Sequence, residues 1–240
     1  MNILITGGAS GLGESITEKL VECKINRVYF TYSNSQEKAK KIEKKFENAV
    51  SIKCDFSDNF ELLSLQNQMK EMDLDVLINN AYCGKINQKH FHKSPPSDFV
   101  NDFMNNIIPT IKITQEAIKI FRKKKQGKII TILSSGLTNL PPTGMSSYIS
   151  NKAYLEKLTK VWANENSQFN ITSNSVSPSF MKAALTANFD DRIVEQIKLN
   201  SPIQSLITIE EVAETVLFLT NAGKHINGLD LLMNAGSNIK

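Results

Sequence analysis

Cysteine is scarce in this 240-residue chain, and Cys23, Cys54 and Cys83 are odd in number, scattered and without metal-ligand spacing. Their placement argues against a disulfide-stapled scaffold and a zinc site, and predicts reduced thiols and no bound metal. No apolar run approaches the ~20 residues of a membrane-spanning helix, and no charged-then-apolar export signal precedes the first strand-like run. The expectation is therefore a cytoplasmic protein with no membrane partner. Charge of one sign is lacking too: 28 basic and 24 acidic residues leave a net charge of +4. Most lysines alternate with acids, as over residues 37–47, which predicts a solvated surface and no nucleic-acid partner. There is no internal repeat, low-complexity tract or linker long enough to divide the chain. Residues 1–240 read as a single domain with a large core.

The chain opens with an apolar run, Asn2-Ile-Leu-Ile-Thr6, that leads directly into the glycine cluster Gly7, Gly8, Gly11 and Gly13. An amphipathic stretch follows to about Cys23. Strand, glycine loop and helix in that order suit a nucleotide. Glycines let a pyrophosphate approach the backbone, and the helix N-terminus offers unpaired N–H groups with the positive end of its dipole. The spacing is Gly-x-x-x-Gly-x-Gly and lacks the Gly-Lys-Ser/Thr ending of a P-loop NTPase.

Further strand-like runs are expected at 27–32, 49–54, 75–79, 128–133, 171–176 and 229–233. Helices are expected at 36–46, 60–72, 98–122, 146–167 and 209–220. Several of the strands are nearly continuous apolar runs, as in a parallel sheet covered on both faces. The fold class is thus α/β, a three-layer, doubly wound, mostly parallel sheet of seven strands. In such a sheet ligands bind beyond the strands' carboxyl ends, so Gly7, Asp55, Asn79 and Ser135 should open onto one rim.

Tyr148 and Lys152 stand one helical turn apart in the 146–167 helix. On a shared face, a lysine ammonium favours the ionised form of a phenol and draws its pKa down from about 10 toward neutrality, where acid–base catalysis works best. The same spacing also arises in ordinary exposed helical pairs. Its weight here comes from the other motifs.

Thr6-Gly7-x-x-x-Gly11-x-Gly13, Asn79-Asn80-Ala81, a serine before the tyrosine, and Tyr148-x-x-x-Lys152 together resemble the classical short-chain dehydrogenase/reductase family over essentially the whole chain. The resemblance implies a Rossmann domain that interconverts a carbonyl and a secondary alcohol with NAD(P). Tyr148 would be the acid/base. Lys152 would lower its pKa and hold the nicotinamide ribose, and Ser135 would bind the carbonyl oxygen, with adjacent Ser134 as the alternative. Asn106, two turns after Phe99 in the long helix, would support a proton relay, with Asn105 as the fallback. Cofactor contacts would come from Gly7, Ser10, Gly11, Leu12, Gly13, Tyr32, Ser33, Asn34, Asp55, Phe56, Asn80, Ala81, Tyr148, Lys152, Pro178 and Phe180. The second strand ends in Phe30-Thr-Tyr-Ser-Asn-Ser35 without the acid that usually binds the adenosine ribose of NAD, which favours NADP(H) over NAD(H). Ser10 meanwhile stands where many NADP enzymes carry arginine.

The chain departs from the family pattern at Tyr82, where Asn-Asn-Ala is usually followed by glycine, and at Ser179, where glycine usually follows the proline. A substrate lid is expected at about 179–204, mixing apolar and charged residues. The resemblance is nearest to 3-oxoacyl-acyl-carrier-protein reductases. Arg122-Lys-Lys-Lys125 could supply a basic patch for an acidic carrier or be a solvated helix end, and Phe169 replaces a second carrier-binding arginine. A homotetramer or homodimer is implied, acting on a small-molecule carbonyl or alcohol. The alternative is a nucleotide-binding sensor or interaction protein on the same scaffold.

Overall fold

The computed structural model describes residues 1–84, 86, 88–138, 140–186 and 189–237. Seven strands, β1 (Asn2–Ile5), β2 (Arg27–Tyr32), β3 (Ala49–Lys53), β4 (Val76–Asn79), β5 (Gly127–Ile132), β6 (Ile171–Pro178) and β7 (Asp230–Met233), form one sheet in the order β3-β2-β1-β4-β5-β6-β7. Every pairing is parallel. The strand order reverses between β1 and β4, which places the ligand crevice at their carboxyl ends.

Adjacent residues within a strand feed opposite cores. Ile3 and Ile5 join one buried cluster and Leu4 the other, and Val76 and Ile78 oppose Leu77 in the same way. The first cluster is closed by α1 (Gly11–Val21), α2 (Gln36–Lys45) and α8 (Ile209–Asn221) through Ile16, Leu20, Ile42, Val212 and Val216. The second is closed by α3 (Asn59–Met69), α5 (Ile108–Lys124) and α6 (Ser146–Asn166) through Leu65, Met69, Ile113, Phe121 and Trp162. Side chains that alternate across a pleat and are buried on both faces give the continuous apolar runs.

The helix expected at 98–122 is broken. α4 (Pro96–Asp102) passes through a π-helical turn, Phe103–Ile107, into α5, and the Ile108 N–H donates back to the Phe103 carbonyl. Pro109 has no N–H to continue the ladder, and the wider turn absorbs that break. The segment expected as a lid contains an unexpected helix, α7 (Asp191–Asn200), capped by Asp190, whose carboxylate accepts from Arg192 N at 2.8 Å.

Candidate active site

At the mouth of β1 the glycine loop is held by hydrogen bonds that leave its far end open. Gly7 N donates to Thr31 Oγ1 at 2.9 Å, and Gly8 N to the Thr31 carbonyl at 2.9 Å. Asn80 Nδ2 donates to the Thr6 and Gly7 carbonyls at 2.9 and 3.1 Å, while Thr6 Oγ1 accepts from the N–H groups of Asn80 and Ala81. Gly7 and Gly11 adopt φ of +67° and +54°, a region closed to most side chains. A Cβ on Gly13 would overlap the Gly7 carbonyl oxygen. Ser10 precedes α1 without forming a side-chain cap. The first-turn N–H groups of α1 are thus uncapped by Ser10, and Ser10, Gly11, Leu12 and Gly13 all line the cleft. Such a helix end fits a pyrophosphate.

The cleft, about 1320 Å³ in volume, continues past Tyr32, Ser33, Asn34, Asp55 and Phe56 on one side and Ala81, Pro178 and Phe180 on the other. Ser33 Oγ donates to Asp55 Oδ2 at 3.0 Å. Ser57, through its hydroxyl and N–H, holds the Asp55 carboxyl below the usual carboxylate range. All the cofactor-binding candidates line this one cleft.

α6 carries Tyr148 and Lys152 into the same space. Lys152 is 4 % exposed. Its Nζ donates to the Ile132 carbonyl at 2.7 Å and lies 5.6 and 5.7 Å from the ring centroids of Tyr82 and Tyr148. Burial lowers its pKa from 10.5 to about 8. The Tyr148 phenol does not shift toward neutrality as expected: burial pushes it up to about 12, against the Ser134 side chain, which pulls it down. Desolvation disfavours the charged form of both groups, and the ammonium is directed at a main-chain carbonyl and two ring faces.

The serine whose side chain acts on the Tyr148 phenol is thus Ser134, one position further back than the family spacing indicates. Its Oγ also accepts from Gly136 N at 3.2 Å, and Ser135 begins the 3₁₀ turn that follows, although both serines line the cleft. Asn106, 2 % exposed, spends its carboxamide on backbone. Oδ1 accepts from Cys83 N at 2.6 Å, and Nδ2 donates to the carbonyls of Cys83 and Asp102 at 3.3 and 3.0 Å. It ties the segment after β4 to the π turn, and it is Asn105 that lines the cleft. A π turn at Asn106 was signalled in the sequence by Pro109.

The basic run at the end of α5 is partly structural. Arg122 bonds Asn166 Oδ1 at 2.8 Å and stacks over Phe169 at 4.6 Å, and Lys124 pairs with Asp73 and Asp75. Sequence reasoning missed Asp102, which lines the cleft and receives hydrogen bonds from Tyr82 and Ser147. An acid on a helix ordinarily reads as solvated, so nothing marked it. Among the described residues, no helix is long and apolar enough to cross a membrane.

Comparison with known proteins agrees with this geometry. The family described as enoyl-(acyl carrier protein) reductase matches residues 7–238. The 3-oxoacyl-(acyl-carrier-protein) reductase FabG of Staphylococcus aureus is 30% identical over 240 residues, covering 97% of this chain and 96% of that protein. FabG of Aquifex aeolicus is 30% identical, with 97% and 95% covered. The structure of ElxO with NADP bound superposes with a TM-score of 0.86 at 28% identity, covering 98% of each chain. Parallel sheet, glycine loop, tyrosine–lysine helix and these full-length likenesses lead to one assignment: the chain belongs to the short-chain dehydrogenase/reductase family of oxidoreductases.

Proposed function

We propose that this protein is an NADP(H)-dependent reductase of a small carbonyl compound, with Tyr148 as the proton donor. The observation that carries the reading is the placement of the Tyr148 phenol and the Ser134 and Ser135 side chains with buried Lys152 in the cleft that begins at the uncapped end of α1. Residues 10–13 would bind the pyrophosphate, Asp55 and Phe56 the adenine, and Tyr32, Ser33 and Asn34 the adenosine ribose and its 2′-phosphate. Asn80, Ala81, Pro178 and Phe180 would line the nicotinamide end. Bound NADPH supplies the hydride. Tyr148 delivers its proton to the carbonyl oxygen, and Ser134 stabilises the charge that develops there. Lys152 holds the nicotinamide ribose and restrains the phenol. Asn106 is a positioning residue that fixes the loop after β4.

The curated relatives favour a 3-oxoacyl thioester as substrate, and the apolar lid side chains Leu185 and Phe189 suit an acyl chain. Exposed Tyr154 and Val161 on α6 provide an apolar face for assembly into a dimer or tetramer. The test is NADPH oxidation against ketones and 3-oxoacyl thioesters by wild type and Tyr148→Phe. Turnover that survives unchanged in the variant refutes the mechanism. Tighter binding of NADH than of NADPH refutes the cofactor choice.

A further inference from the structure

Two side chains crowd Tyr148 that proton and hydride transfer do not require. Tyr82 packs edge-on against the Tyr148 ring, with centroids 5.0 Å apart at 70°. Its hydroxyl donates to Asp102 Oδ2 at 3.2 Å, and the same oxygen accepts from Ser147 Oγ at 2.7 Å. Asp102 Oδ1 accepts no hydrogen bond among the described residues, and no lysine or arginine among them pairs with the carboxylate. Asn151, 5 % exposed, leaves its buried Nδ2 without a well-formed hydrogen bond and sets its amide against the Tyr82 phenol. Burial first, then the Asp102 charge and hydrogen bond, keep that phenol protonated. Tyr82 is therefore a fixed donor to Asp102.

The result is a carboxylate anchored beside the residue that immediately precedes Tyr148. Tyr82 and Asp102 both line the cleft, where Ile86, Leu140, Met145, Phe189 and Ile193 are uncharged neighbours. Lys152 is the one lysine or arginine among the described residues that line the cleft, and it is not paired with the carboxylate. Its Nζ is bonded to the Ile132 carbonyl and lies 5.6 and 5.7 Å from the Tyr82 and Tyr148 ring centroids.

We propose that Tyr82 and Asp102 form an anion-excluding wall beside Tyr148, so that the protein accepts carbonyl compounds whose neighbouring groups are uncharged, such as ketones, esters and thioesters, and rejects oxo acids. The proposal rests on the carbonyl-reductase reading and names the substrate class of that site. A second carboxylate brought within several ångströms of Asp102 in a partly solvated cleft is disfavoured on the order of tenfold by repulsion alone.

The test measures binding and turnover separately. The protein loaded with NADPH is titrated with 3-hydroxybutyrate and with its ethyl ester, alcohols that cannot exchange a hydride with the reduced cofactor, and NADPH oxidation is followed with the matching 3-oxo compounds. Wild type is expected to bind the ester about tenfold more tightly than the acid, with the preference shrinking as salt is raised. Asp102→Asn keeps the side chain's shape and an acceptor for Tyr82 and Ser147. It is expected to remove most of the preference by tightening the acid. Equal binding of ester and acid by wild type, or a preference insensitive to both salt and Asp102→Asn, overturns the proposal. The salt series on wild type stands even if the variant does not fold. Failure to reduce the ester while the salt-sensitive binding preference persists would count against the reductase reading and support the anion-excluding wall.

Discussion

Replacing Lys152 with methionine should stabilise the apoprotein while removing its activity. The ammonium is 4 % exposed and, among the described residues, makes a single hydrogen bond, to the Ile132 carbonyl. Burial lowers its pKa from 10.5 to about 8. At about 1.4 kcal/mol per pKa unit, holding that charge in the folded protein costs roughly 3 kcal/mol. Methionine fills similar volume without charge, but it gives up the hydrogen bond, worth about 1 kcal/mol. The net expectation is a gain of about 2 kcal/mol at pH 7, read from urea denaturation midpoints at constant slope. The pH dependence identifies the cause. Because the folded-state pKa lies below the unfolded one, the wild-type penalty is fully present below pH about 8. Between about 8 and 10.5 the unfolded chain holds a proton that the folded protein does not, so wild-type stability rises with pH. Methionine's advantage should therefore shrink across that window. Taking the difference between the two proteins cancels the ionisation of Tyr82 and Tyr148. Destabilisation at pH 7, or an advantage that does not change with pH, would refute the reasoning.

Tyr148→Phe should retain the fold and cofactor affinity while lowering kcat at least a hundredfold, the usual scale for a lost general acid, in NADPH oxidation assays. Ser134→Ala should reduce kcat/KM by about tenfold to a hundredfold, whereas Ser135→Ala should stay within about threefold. The reverse ranking would return the carbonyl-binding role to Ser135. Gly13→Ala, whose Cβ would overlap the Gly7 carbonyl oxygen, should cost about 1–3 kcal/mol and weaken NADP binding, measured by thermal denaturation and titration. Asp75 accepts from Asn2 N at 2.8 Å and Lys124 Nζ at 2.7 Å. Although burial raises its pKa, those partners hold it below the ordinary value of 3.8, so its contribution is present above that pH and lost as pH falls through the folded-state value. Asp75→Asn should cost about 1–2 kcal/mol at pH 7, with the difference narrowing in urea melts as pH falls below 3.8.

What was legible in the sequence follows from what periodicity and spacing can report. β1, β4 and β5 are buried on both faces, so their apolar runs announce a parallel sheet without any partner being known. The glycine loop is legible because it recruits Thr31 and Asn80 to features that every dinucleotide site of this kind needs. Ser134 was harder. Spacing counts residues along a loop, whereas which hydroxyl acts on Tyr148 depends on where β5 ends, and one residue exchanges the two serines. The break in the long helix was written in Pro109, but helical periodicity on both sides of it concealed the π turn. Tyr82 and Asp102 mark the limit most clearly. A tyrosine in place of a glycine reads alone as an obstruction, and an aspartate in a helix reads alone as a surface charge. Their relation exists only after β4 and α4 are brought to one rim, where the phenol donates to the carboxylate and each side chain accounts for the other. A departure from a family motif is therefore best judged with its spatial neighbour. If the salt-sensitive ester preference is found, Tyr82 is the support of a charge that selects the substrate and not an obstruction that the active site tolerates.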